Sequence, residues 1–376
     1  MDSDTVHAFH HDYRLAQEKV QAGVVSSRSS AANSHWDIWS TFCLTLTVDP
    51  LLSSVLDPVV LLQVFAQRYR TGQIAPRGQP VRSRTVEDAV RSIGQTFSSM
   101  GTIDPRLTRQ GKIDFRLQRQ LAAYTKEDPP PNRVKPVPVS VIQHVAYAAH
   151  ASHEDGNLAI ADMISLAFFF LLRPGEYTGT NSDTSPFRFC DVQLFVGGRR
   201  LQLQTATEVE IQSATFATLT FTTQKNGVRG EVIGLSRSGN LQLCPVLSTI
   251  RRILHLRRHN AAETTPLASY YTQGRWRKVS PSDITAALRV AVVILGPALG
   301  FLPTDISARS LRASGAMALL CAQVDSDVIR LLGRWRSDEM LRYLHIQAEP
   351  VMRDFASRML THGNFVLTPN QDVPCY

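Results

Sequence analysis

The sequence predicts a mainly α-helical protein with one small antiparallel β-sheet, divided into two parts by a proline-rich linker. Apolar residues recur at helical spacing through residues 35–124 and again after Cys244. Between these regions, residues 187–235 contain three short runs typical of strands. The run KEDPPPNRVKPVP, residues 126–138, cannot be helical, because proline lacks a donor and fixes φ. We therefore predict a domain boundary in that run.

The first part begins with a predicted flexible arm, residues 1–30, which ends in the Ser/Ala-rich run VVSSRSSAANS. Its first residues are polar and acidic, so no signal peptide is visible. Residues 31–125 predict a compact domain of four or five helices. They are carried by the segments HWDIWSTFCLTL, DPVVLLQVFAQRYRTG and RSRTVEDAVRSIGQTFSSMG, with Pro and Gly between them.

The charge balance favours a polyanionic partner. The 376 residues carry a net charge of +8, and eleven basic residues face four acidic ones between Arg68 and Arg119. Such a surface can grip the phosphates of duplex DNA, although solvated helix faces give the same pattern. The residues predicted to contact DNA are Arg68, Arg70, Arg82, Arg84, Arg91, Arg106, Arg109 and Lys112.

The cysteines argue against a disulfide-stabilised or zinc-binding protein, and the longest apolar run argues against a membrane protein. Five cysteines stand without a Cys-x-x-Cys pair, which indicates reduced thiols in an intracellular protein. The apolar run from Met163 to Leu172 is only ten residues long, so it predicts a buried helix and no membrane span. His255 and His259 lie four residues apart without a third ligand, and we predict them as surface residues. No metal site is predicted.

The second domain, residues 139–364, opens with two predicted helices, VSVIQHVAYAAH and NLAIADMISLAFFFLLRPGEYTG. The latter should end at Arg173, because Pro174 and Gly175 break it. Three strands follow, FRFCDVQLFV, ATFATLTFTT and GEVIGL, with a tight turn at Lys225-Asn226-Gly227 before the third. Two further helices lie in CPVLSTIRRILHLRRHN and PSDITAALRVAVVILG, the second capped by Ser280 or Ser282.

The last third of the chain predicts short helices. One is capped by Ser307 or Asp305 and runs to about Cys321, and the next runs from Asp325 to Gly333. A third begins near Ser337, and EPVMRDFASRMLTHG predicts one more. The tail, residues 365–376, is predicted to be flexible.

Four ordered motifs in this domain resemble those of the tyrosine recombinases, the phage-integrase superfamily. LLRPGEY contains an Arg-x-x-Glu, QKNGVRG lies on a hairpin, and SARSLRASGA contains an Arg-x-x-Arg. LLGRWRSDEMLRYLH contains a tyrosine, Tyr343, nine residues after its first arginine. The chain departs from the family pattern twice. Arg309 stands where histidine is commonest, and Arg334 stands where histidine or tryptophan is usual.

The resemblance implies a two-domain enzyme that cuts and rejoins DNA. A helical core-binding domain and a catalytic domain would form a clamp around double-stranded DNA, and a homotetramer would assemble in the synapse. The chemistry would pass through a 3′-phosphotyrosyl intermediate without metal, ATP or any other cofactor. The protein would work in the nucleus of a eukaryote or in the cytoplasm and nucleoid of a bacterium, and a mobile element is a plausible origin.

The resemblance also implies a role for each motif residue. Tyr343 would be the nucleophile, and Arg173 and Arg312 would hold the non-bridging phosphate oxygens. Lys225 would protonate the leaving oxygen, with Arg229 as the alternative on the same hairpin. Glu176 would orient a catalytic side chain. Arg309 and Arg334 would stabilise charge, although an arginine cannot accept the tyrosine proton.

Two other functions stay open at this point. An inactive descendant of the family would bind DNA without cutting it. A type IB topoisomerase would share the active-site chemistry but relax supercoiled DNA without a specific site. The motifs do not choose among integrase, resolvase and invertase.

Overall fold

The computed structural model describes residues 3–22, 26–129, 135–179, 185–222, 230–300 and 302–335. The chain divides into two compact units, residues 1–132 and 133–376. That division falls inside the predicted linker. Helices dominate both units and one small antiparallel sheet lies in the second, which confirms the predicted fold class. Within the ranges given above, no helix is both long enough and apolar enough to cross a membrane.

Unit 1 is helical, as its sequence predicts. Asp57 begins the third helix by accepting a hydrogen bond from the Val59 amide, and Pro58 takes the first helical position, where its missing donor costs nothing. The core includes Trp39 and Phe65, whose rings meet edge to face at 5.4 Å. The helices described are α1 (Ser3–Ala22), α2 (Ser26–Thr45), α3 (Pro58–Arg70), α4 (Ser83–Ser99) and α5 (Phe115–Glu127).

The predicted flexible arm, residues 1–30, differs from the structure. Its described residues form α1 and the first turn of α2. Every described side chain of α1 for which exposure is known is exposed, so packing does not hold this helix. Good helix formers such as Ala8, Leu15 and Ala16 account for it, because they lose little side-chain entropy in a helix.

Unit 2 places its helices around a sheet and a separate hairpin. Its described helices are α6 (Val139–Ser152), α7 (Asp155–Phe169), α8 (Pro174–Tyr177), α9 (Glu208–Gln212), α10 (Pro245–Arg258), α11 (Pro281–Leu299), α12 (Ser310–Cys321) and α13 (Ser326–Gly333). Ser280 caps α11 and Asp325 caps α13, each accepting a hydrogen bond from a backbone amide of the first turn.

The sheet of unit 2 has the strand order β2-β1-β3-β4, and all its neighbours are antiparallel. Phe221 pairs with Glu231, so the connection between the last two strands begins and ends where the sequence predicts a turn. The predicted Lys225 and Arg229 belong to residues 223–229, which lie outside the described part of the chain. The strands are β1 (Val192–Val196), β2 (Arg199–Arg200), β3 (Phe216–Phe221) and β4 (Glu231–Ser236).

A second hairpin, β5 (Ser269–Thr272) and β6 (Arg275–Lys278), was not predicted. Gln273 and Gly274 form its turn, and both have positive φ, at 49° and 77°. Such a two-residue turn matches the twist of the flanking strands. The aromatic runs on either side of Gln273-Gly274 were the available signal for this hairpin.

The helix α7 ends four residues before the predicted Arg173. Leu171 adopts a left-handed conformation with φ at 50°, and the Leu172 amide donates to the Ala167 carbonyl at 3.0 Å. This closing turn normally uses glycine. Arg173 lies after the turn and caps the short helix α8, so its side chain starts from a new direction.

Helix α12 approaches the end of α7 closely because Gly315 has no side chain. A Cβ atom there would lie 2.1 Å from the Phe168 carbonyl oxygen and 2.3 Å from Leu171 Cδ2. On another side of α12, Ser314 Oγ accepts a hydrogen bond from the Val137 amide at 2.7 Å. The contact between α7 and α12 therefore depends on one glycine.

His255 and His259 are partly buried, in contrast to the predicted surface position. His255 Nε2 accepts a hydrogen bond from the Tyr271 amide at 2.8 Å, and the His259 ring stacks on the Tyr271 ring. Burial, together with the charge of Arg252, lowers the pKa of His255 to about 4. The neutral imidazole thus helps to hold β5 against α10.

We predict that Gly315→Ala destabilises unit 2. Alanine has the higher helix propensity by about 1 kcal/mol, but overpacking against a backbone carbonyl costs about 1–3 kcal/mol. A net loss in the urea unfolding free energy is expected. Gly179→Ala is the control, since a Cβ atom there would meet Lys278 side-chain atoms at 3.7 and 3.9 Å, which is ordinary van der Waals contact. Equal stability of the two variants would contradict the close approach.

We predict that stability falls as pH drops from about 6.5 towards 4. The unfolded His255 binds a proton near its ordinary pKa of 6.5, whereas the folded one resists it until about 4. Urea unfolding at pH 7 and pH 4.5 should show a larger loss for the wild type than for His255→Gln. The exposed His10→Gln should behave like the wild type, and a similar loss in His255→Gln would rule out this histidine as the cause.

Candidate functional site

The Arg-Pro-Gly-Glu segment closes on itself around a buried carboxylate. The backbone amide of Arg173 donates to Glu176 Oε2 at 2.8 Å, and Arg173 Nη1 donates to Glu176 Oε1 at 3.1 Å. Glu176 is 3% exposed, but the Arg173 side chain is 27% exposed. Both carboxylate oxygens are therefore hydrogen-bonded, while about a quarter of the Arg173 side chain remains exposed.

Arg334 binds the same carboxylate from the end of α13. It occupies the left-handed position that ends the helix, with φ at 58°, and its Nη2 donates to Glu176 Oε2 at 2.9 Å. The guanidinium also donates to the Phe170 and Leu171 carbonyls at 3.3 Å each, and it lies over the Phe221 ring at 3.8 Å. Burial lowers the pKa of Arg334, and the charge of Glu176 opposes that shift.

Arg312 joins the group through backbone carbonyls. Its Nη1 donates to the Leu171 carbonyl at 2.8 Å, and its Nη2 donates to the Gly333 carbonyl. The guanidinium also lies 4.2 Å from the centre of the Trp335 ring, and the residue is 3% exposed. Arg312 therefore connects the end of α7 with the end of α13.

The Gly-Arg-Trp sequence after α13 has a steric explanation. A Cβ atom at Gly333 would lie 1.6 Å from a ring carbon of Trp335, so only glycine leaves room for that ring. Trp335 in turn packs with Leu171, Ala316 and Ile329 in a small cluster beneath the site. Gly333 thus makes room for the Trp335 ring, Arg334 binds Glu176, and Trp335 packs beneath the site.

We call Arg173, Glu176, Arg312 and Arg334 the arginine cluster. Three guanidiniums and one carboxylate leave a formal excess of two positive charges. A planar guanidinium matches a phosphate with two parallel hydrogen bonds. The cluster therefore suits an anionic ligand, and Arg173 is its most exposed guanidinium.

Arg309 lies at the start of α12 and is exposed. The backbone next to it is held firmly, because Tyr177 Oη donates to the Ala308 carbonyl at 2.9 Å and the Ala308 amide donates to Thr285 Oγ1 at 3.0 Å. Burial raises the pKa of Tyr177, so this phenol stays a donor. In the part of the chain that the structure describes, the Arg309 guanidinium has no ion-pair or hydrogen-bond partner.

The structure brings together Arg173, Glu176, Arg312 and Arg334, and it places Arg309 on the helix of Arg312. Lys225 and Tyr343 lie outside the described residues. Arg334 was expected to donate to a phosphate, whereas here its guanidinium is buried and donates to Glu176 and to backbone carbonyls. The reason is that the left-handed end of α13 directs this side chain inward.

Sequence reasoning missed two parts of the site. The Leu171 carbonyl accepts hydrogen bonds from both Arg312 and Arg334, and no sequence signal marks a leucine for a left-handed turn. Trp335 was given no role. Its position directly after Gly-Arg was the available signal for a ring that packs back on the helix end.

Four of the basic residues predicted to bind DNA in unit 1 have carboxylate partners. Arg70 and Arg106 lie 2.5 and 2.6 Å from their partner oxygens and are largely buried. Arg91 and Arg84 form looser and more exposed pairs. The partners are Asp128 for Arg70, Asp104 for Arg106, Glu87 and Asp88 for Arg91, and Asp88 for Arg84.

The other four differ in their surroundings. Arg68 lies over the Phe42 ring at 5.5 Å. Arg82, Arg109 and Lys112 are exposed, and no ion pair reaches them from any residue that is described. These three have the environment of phosphate contacts, whereas Arg70 and Arg106 stabilise the fold of unit 1.

Metal chemistry has no visible site in the same part of the molecule. Within the described ranges, no group of three or more His, Cys, Asp or Glu side chains is arranged to hold an ion.

Comparison with known proteins gives a likeness at the level of structure. No family model and no curated protein matches the chain. Similar solved structures include a lambda integrase dimer bound to a core site, with 13% identity, 90% of this chain and 96% of the other covered, and a TM-score of 0.48. The Tn1549 transposon integrase in complex with transposon right end DNA is 11% identical, with 81% of this chain and 84% of the other covered and a TM-score of 0.44.

XerA recombinase is also similar, with 11% identity, coverage of 92% of this chain and 96% of the other, and a TM-score of 0.38. The structures named here are all recombinases or integrases, the family that the sequence motifs resemble. Their TM-scores lie below 0.5, so the case for a function rests on the residues of the arginine cluster.

We predict that Arg334→Met destabilises unit 2 by about 3 kcal/mol, because it leaves Glu176 short of one buried partner. Chemical unfolding measures the loss. The double variant Arg334→Met/Glu176→Gln should recover part of it, which gives the coupling energy of the pair. Arg330→Met is the control, since Arg330 pairs with Asp327 on the surface and should cost less than about 1 kcal/mol. Equal costs at Arg334 and Arg330 would contradict a buried ion pair.

Proposed function

We propose that this protein is a site-specific DNA recombinase that breaks and rejoins DNA through a tyrosine. One observation carries the proposal. Three arginines from distant segments share two acceptors. Arg173 and Arg334 bind the Glu176 carboxylate, and Arg312 and Arg334 bind the Leu171 carbonyl. A structural ion pair needs one arginine, whereas a site that binds a phosphodiester benefits from several.

Within the proposal, Arg173 is the first contact of the scissile phosphate. Its guanidinium is the accessible one, and Glu176 fixes its direction through the bonds to Nη1 and to the backbone amide. Arg312 supplies a second positive charge, which is held by the Leu171 and Gly333 carbonyls. Fixed charges of this kind stabilise a phosphorane-like transition state without further reorganisation.

The chemistry then follows from residue types. The phenolic oxygen of Tyr343 attacks the phosphorus atom, and the bond between phosphorus and the 5′-oxygen breaks. Lys225 gives its proton to that oxygen, which leaves as a 5′-hydroxyl, with Arg229 as the alternative donor. The phenolic proton passes to water. A 5′-hydroxyl from another strand reverses the step and rejoins the DNA.

The two departures from the family pattern acquire separate roles. Arg334 neutralises Glu176 together with Arg173, so it positions the cluster from inside. Arg309 is exposed and always charged, so it stabilises negative charge on the phosphate but accepts no proton.

Unit 1 would supply affinity that does not depend on DNA sequence. Arg82, Arg109 and Lys112 are exposed and are proposed to contact backbone phosphates. The clamp of two domains around double-stranded DNA, the homotetramer of the synapse and the location in the compartment of the target DNA stay predictions of the resemblance. The same holds for an origin in a mobile element.

A second candidate is a DNA-binding protein of the same fold that does not cut. Arg312 and Arg334 both donate to backbone carbonyls, which is the environment of structural arginines. Arg309 also stays protonated, so it cannot accept the tyrosine proton as a histidine in the matching position could. Both features argue against cleavage, which a topoisomerase also requires. They therefore favour a protein that binds DNA without cutting it as the second candidate.

The deciding experiment is covalent trapping. The full chain is incubated with nicked duplexes from the flanks of its own gene and denatured, and the protein band is examined for attached DNA. We predict a covalent band that Tyr343→Phe abolishes and that Arg173→Gln weakens about 100-fold, the scale on which loss of one charge-stabilising donor acts.

The matched controls are Tyr147→Phe, an exposed tyrosine of α6, and Arg199→Gln, an exposed arginine paired with Glu210. Both should keep the band. Salt-sensitive binding without any band would select the second candidate. Relaxation of plasmids without a required sequence would select the topoisomerase.

A further inference from the structure

The hairpin of β5 and β6 exposes a strongly basic strand. All four residues of β6, Arg275, Trp276, Arg277 and Lys278, are exposed, and none of the ten residues from 269 to 278 is acidic. β6 is an edge strand, since its only neighbour in the described sheet is β5. Three positive charges in four residues therefore stand on an open edge.

The base of the hairpin is held rigidly. Arg252 of α10 is 2% exposed, and its guanidinium donates to the Leu267 carbonyl at 3.2 Å and to the Ser269 carbonyl. The Tyr271 amide donates to His255 Nε2 at 2.8 Å. A fully buried arginine is an expensive anchor, because its charge loses its hydration. The hairpin is therefore a fixed platform and not a loose loop.

The pairing register places the arginines together. Tyr271 pairs with Trp276, and their rings meet edge to face at 5.4 Å, with His259 stacked on Tyr271. Because side chains alternate along a strand, Arg275 and Arg277 lie on the opposite face, about 6.8 Å apart along β6. The aromatic face packs on α10. On the other face Tyr270, the partner of Arg277, packs beside Gly156 of α7, while the side chains of Arg275 and Arg277 are exposed.

These cations have no acidic partner in the described residues, unlike several other exposed arginines of unit 2. Arg199, Arg258 and Arg330 each lie within 3.5 Å of a carboxylate oxygen, from Glu210, Glu208 and Asp327. Charged residues on an edge strand, lysine above all, also prevent edge-to-edge aggregation. Two aligned arginines beside a lysine and a half-exposed tryptophan suit a phosphate backbone better.

The base of the hairpin contacts the segment that follows Glu176 of the arginine cluster. The Gly179 amide donates to the carbonyl of Val279, the residue after β6, at 3.3 Å. A Cβ atom at Gly179 would lie 3.7 Å from Lys278 Cδ. Gly179 follows Glu176 by three residues, so the segment that leaves the cluster runs directly to the base of the hairpin.

We propose that Arg275 and Arg277 bind the phosphate backbone of duplex DNA beside the phosphate held by the arginine cluster. This inference rests on the proposed function, because it takes the same DNA as ligand. The contact is independent of base sequence, since guanidiniums on an exposed strand reach phosphates before they reach base edges. Lys278 adds charge at the base of the hairpin.

The test is the salt dependence of DNA binding by the full-length chain. Fluorescence anisotropy with a 30-base-pair duplex measures the affinity of the wild type and of Arg275→Gln/Arg277→Gln between 50 and 200 mM salt. Loss of two phosphate contacts should reduce the slope of log affinity against log salt by about 1.8. Over that salt range, the wild type should therefore lose about tenfold more affinity than the double variant. An unrelated duplex should give the same change.

The control variant is Arg199→Gln/Arg258→Gln, which removes two arginines of the same unit that already have carboxylate partners. Its slope should stay within the error of the wild type. An unchanged slope in Arg275→Gln/Arg277→Gln overturns the inference, and so does an equal change in the control, which would indicate net charge alone. Circular dichroism of both variants should match the wild type, because all four side chains are exposed.

The two proposals fail in different ways. If the wild type binds duplex DNA but forms no covalent band, the recombinase is contradicted. If the hairpin variant then shows the reduced salt slope, the hairpin contact is still supported. A covalent band together with an unchanged slope supports the recombinase and removes the hairpin contact. A wild-type protein that binds no duplex at all contradicts both.

Discussion

The buried carboxylate of Glu176 is the constraint on which the rest of the site depends. A carboxylate that is 3% exposed costs several kcal/mol unless positive groups surround it. Arg173 and Arg334 both bind this carboxylate. Arg173 precedes Glu176 by three residues, and Arg334 follows it by 158. This requirement explains why α13 ends in a left-handed arginine, since that conformation turns the side chain inward towards the acid. The exposed side of Arg173 is what this arrangement leaves for a ligand.

The turn at Leu171 is the second element that orders the site. A left-handed leucine costs about 1–2 kcal/mol relative to glycine, so its surroundings must hold it there. Its carbonyl accepts from Arg312 and Arg334, and its side chain packs in the cluster with Ala316, Ile329 and Trp335. Hydrogen bonds to charged donors contribute about 1.5–3 kcal/mol each and outweigh that strain. The end of α7, the start of α8 and the two last described helices are thereby fixed to one another.

Electrostatics divides the basic residues into two kinds. Arg70, Arg106, Arg252 and Arg334 spend their hydrogen bonds inside the fold, where they hold helices, a hairpin and a carboxylate. Arg173, Arg309, Arg275 and Arg277 keep contact with solvent and face no surplus of acids among the described residues. Charge counted along a sequence mixes these two kinds. A positive surface next to a fixed phosphate site would both attract DNA and hold it in place, which is how charge serves association and positioning together.

Much of the architecture was predictable because local rules govern it. Helical spacing, the caps at Ser280 and Asp325 and the strand pattern before Glu231 placed most elements of both units, and the proline-rich run contains the division between the units. The described residues of the predicted flexible arm form an exposed helix, α1, which intrinsic propensity and contacts such as the stacked Phe9 and Tyr13 rings support. The hairpin of β5 and β6 was missed because its turn, Gln273-Gly274, lies outside the favoured Asn-Gly pattern.

The sequence by itself determined which arginines and which carboxylate the motifs contain and in what order they occur, because the motifs are short and depend on neighbouring residues. Only the tertiary structure decided which of those arginines remains accessible. Arg173 and Arg334 are chemically identical, yet one reaches solvent and the other is buried over Phe221. That difference depends on the close approach of α12 to α7 at Gly315 and on the left-handed turns at Leu171 and Arg334. The contacts of Gly315 and Arg312 with the end of α7, and of Arg334 with Glu176, join segments more than 140 residues apart, so no local pattern records them.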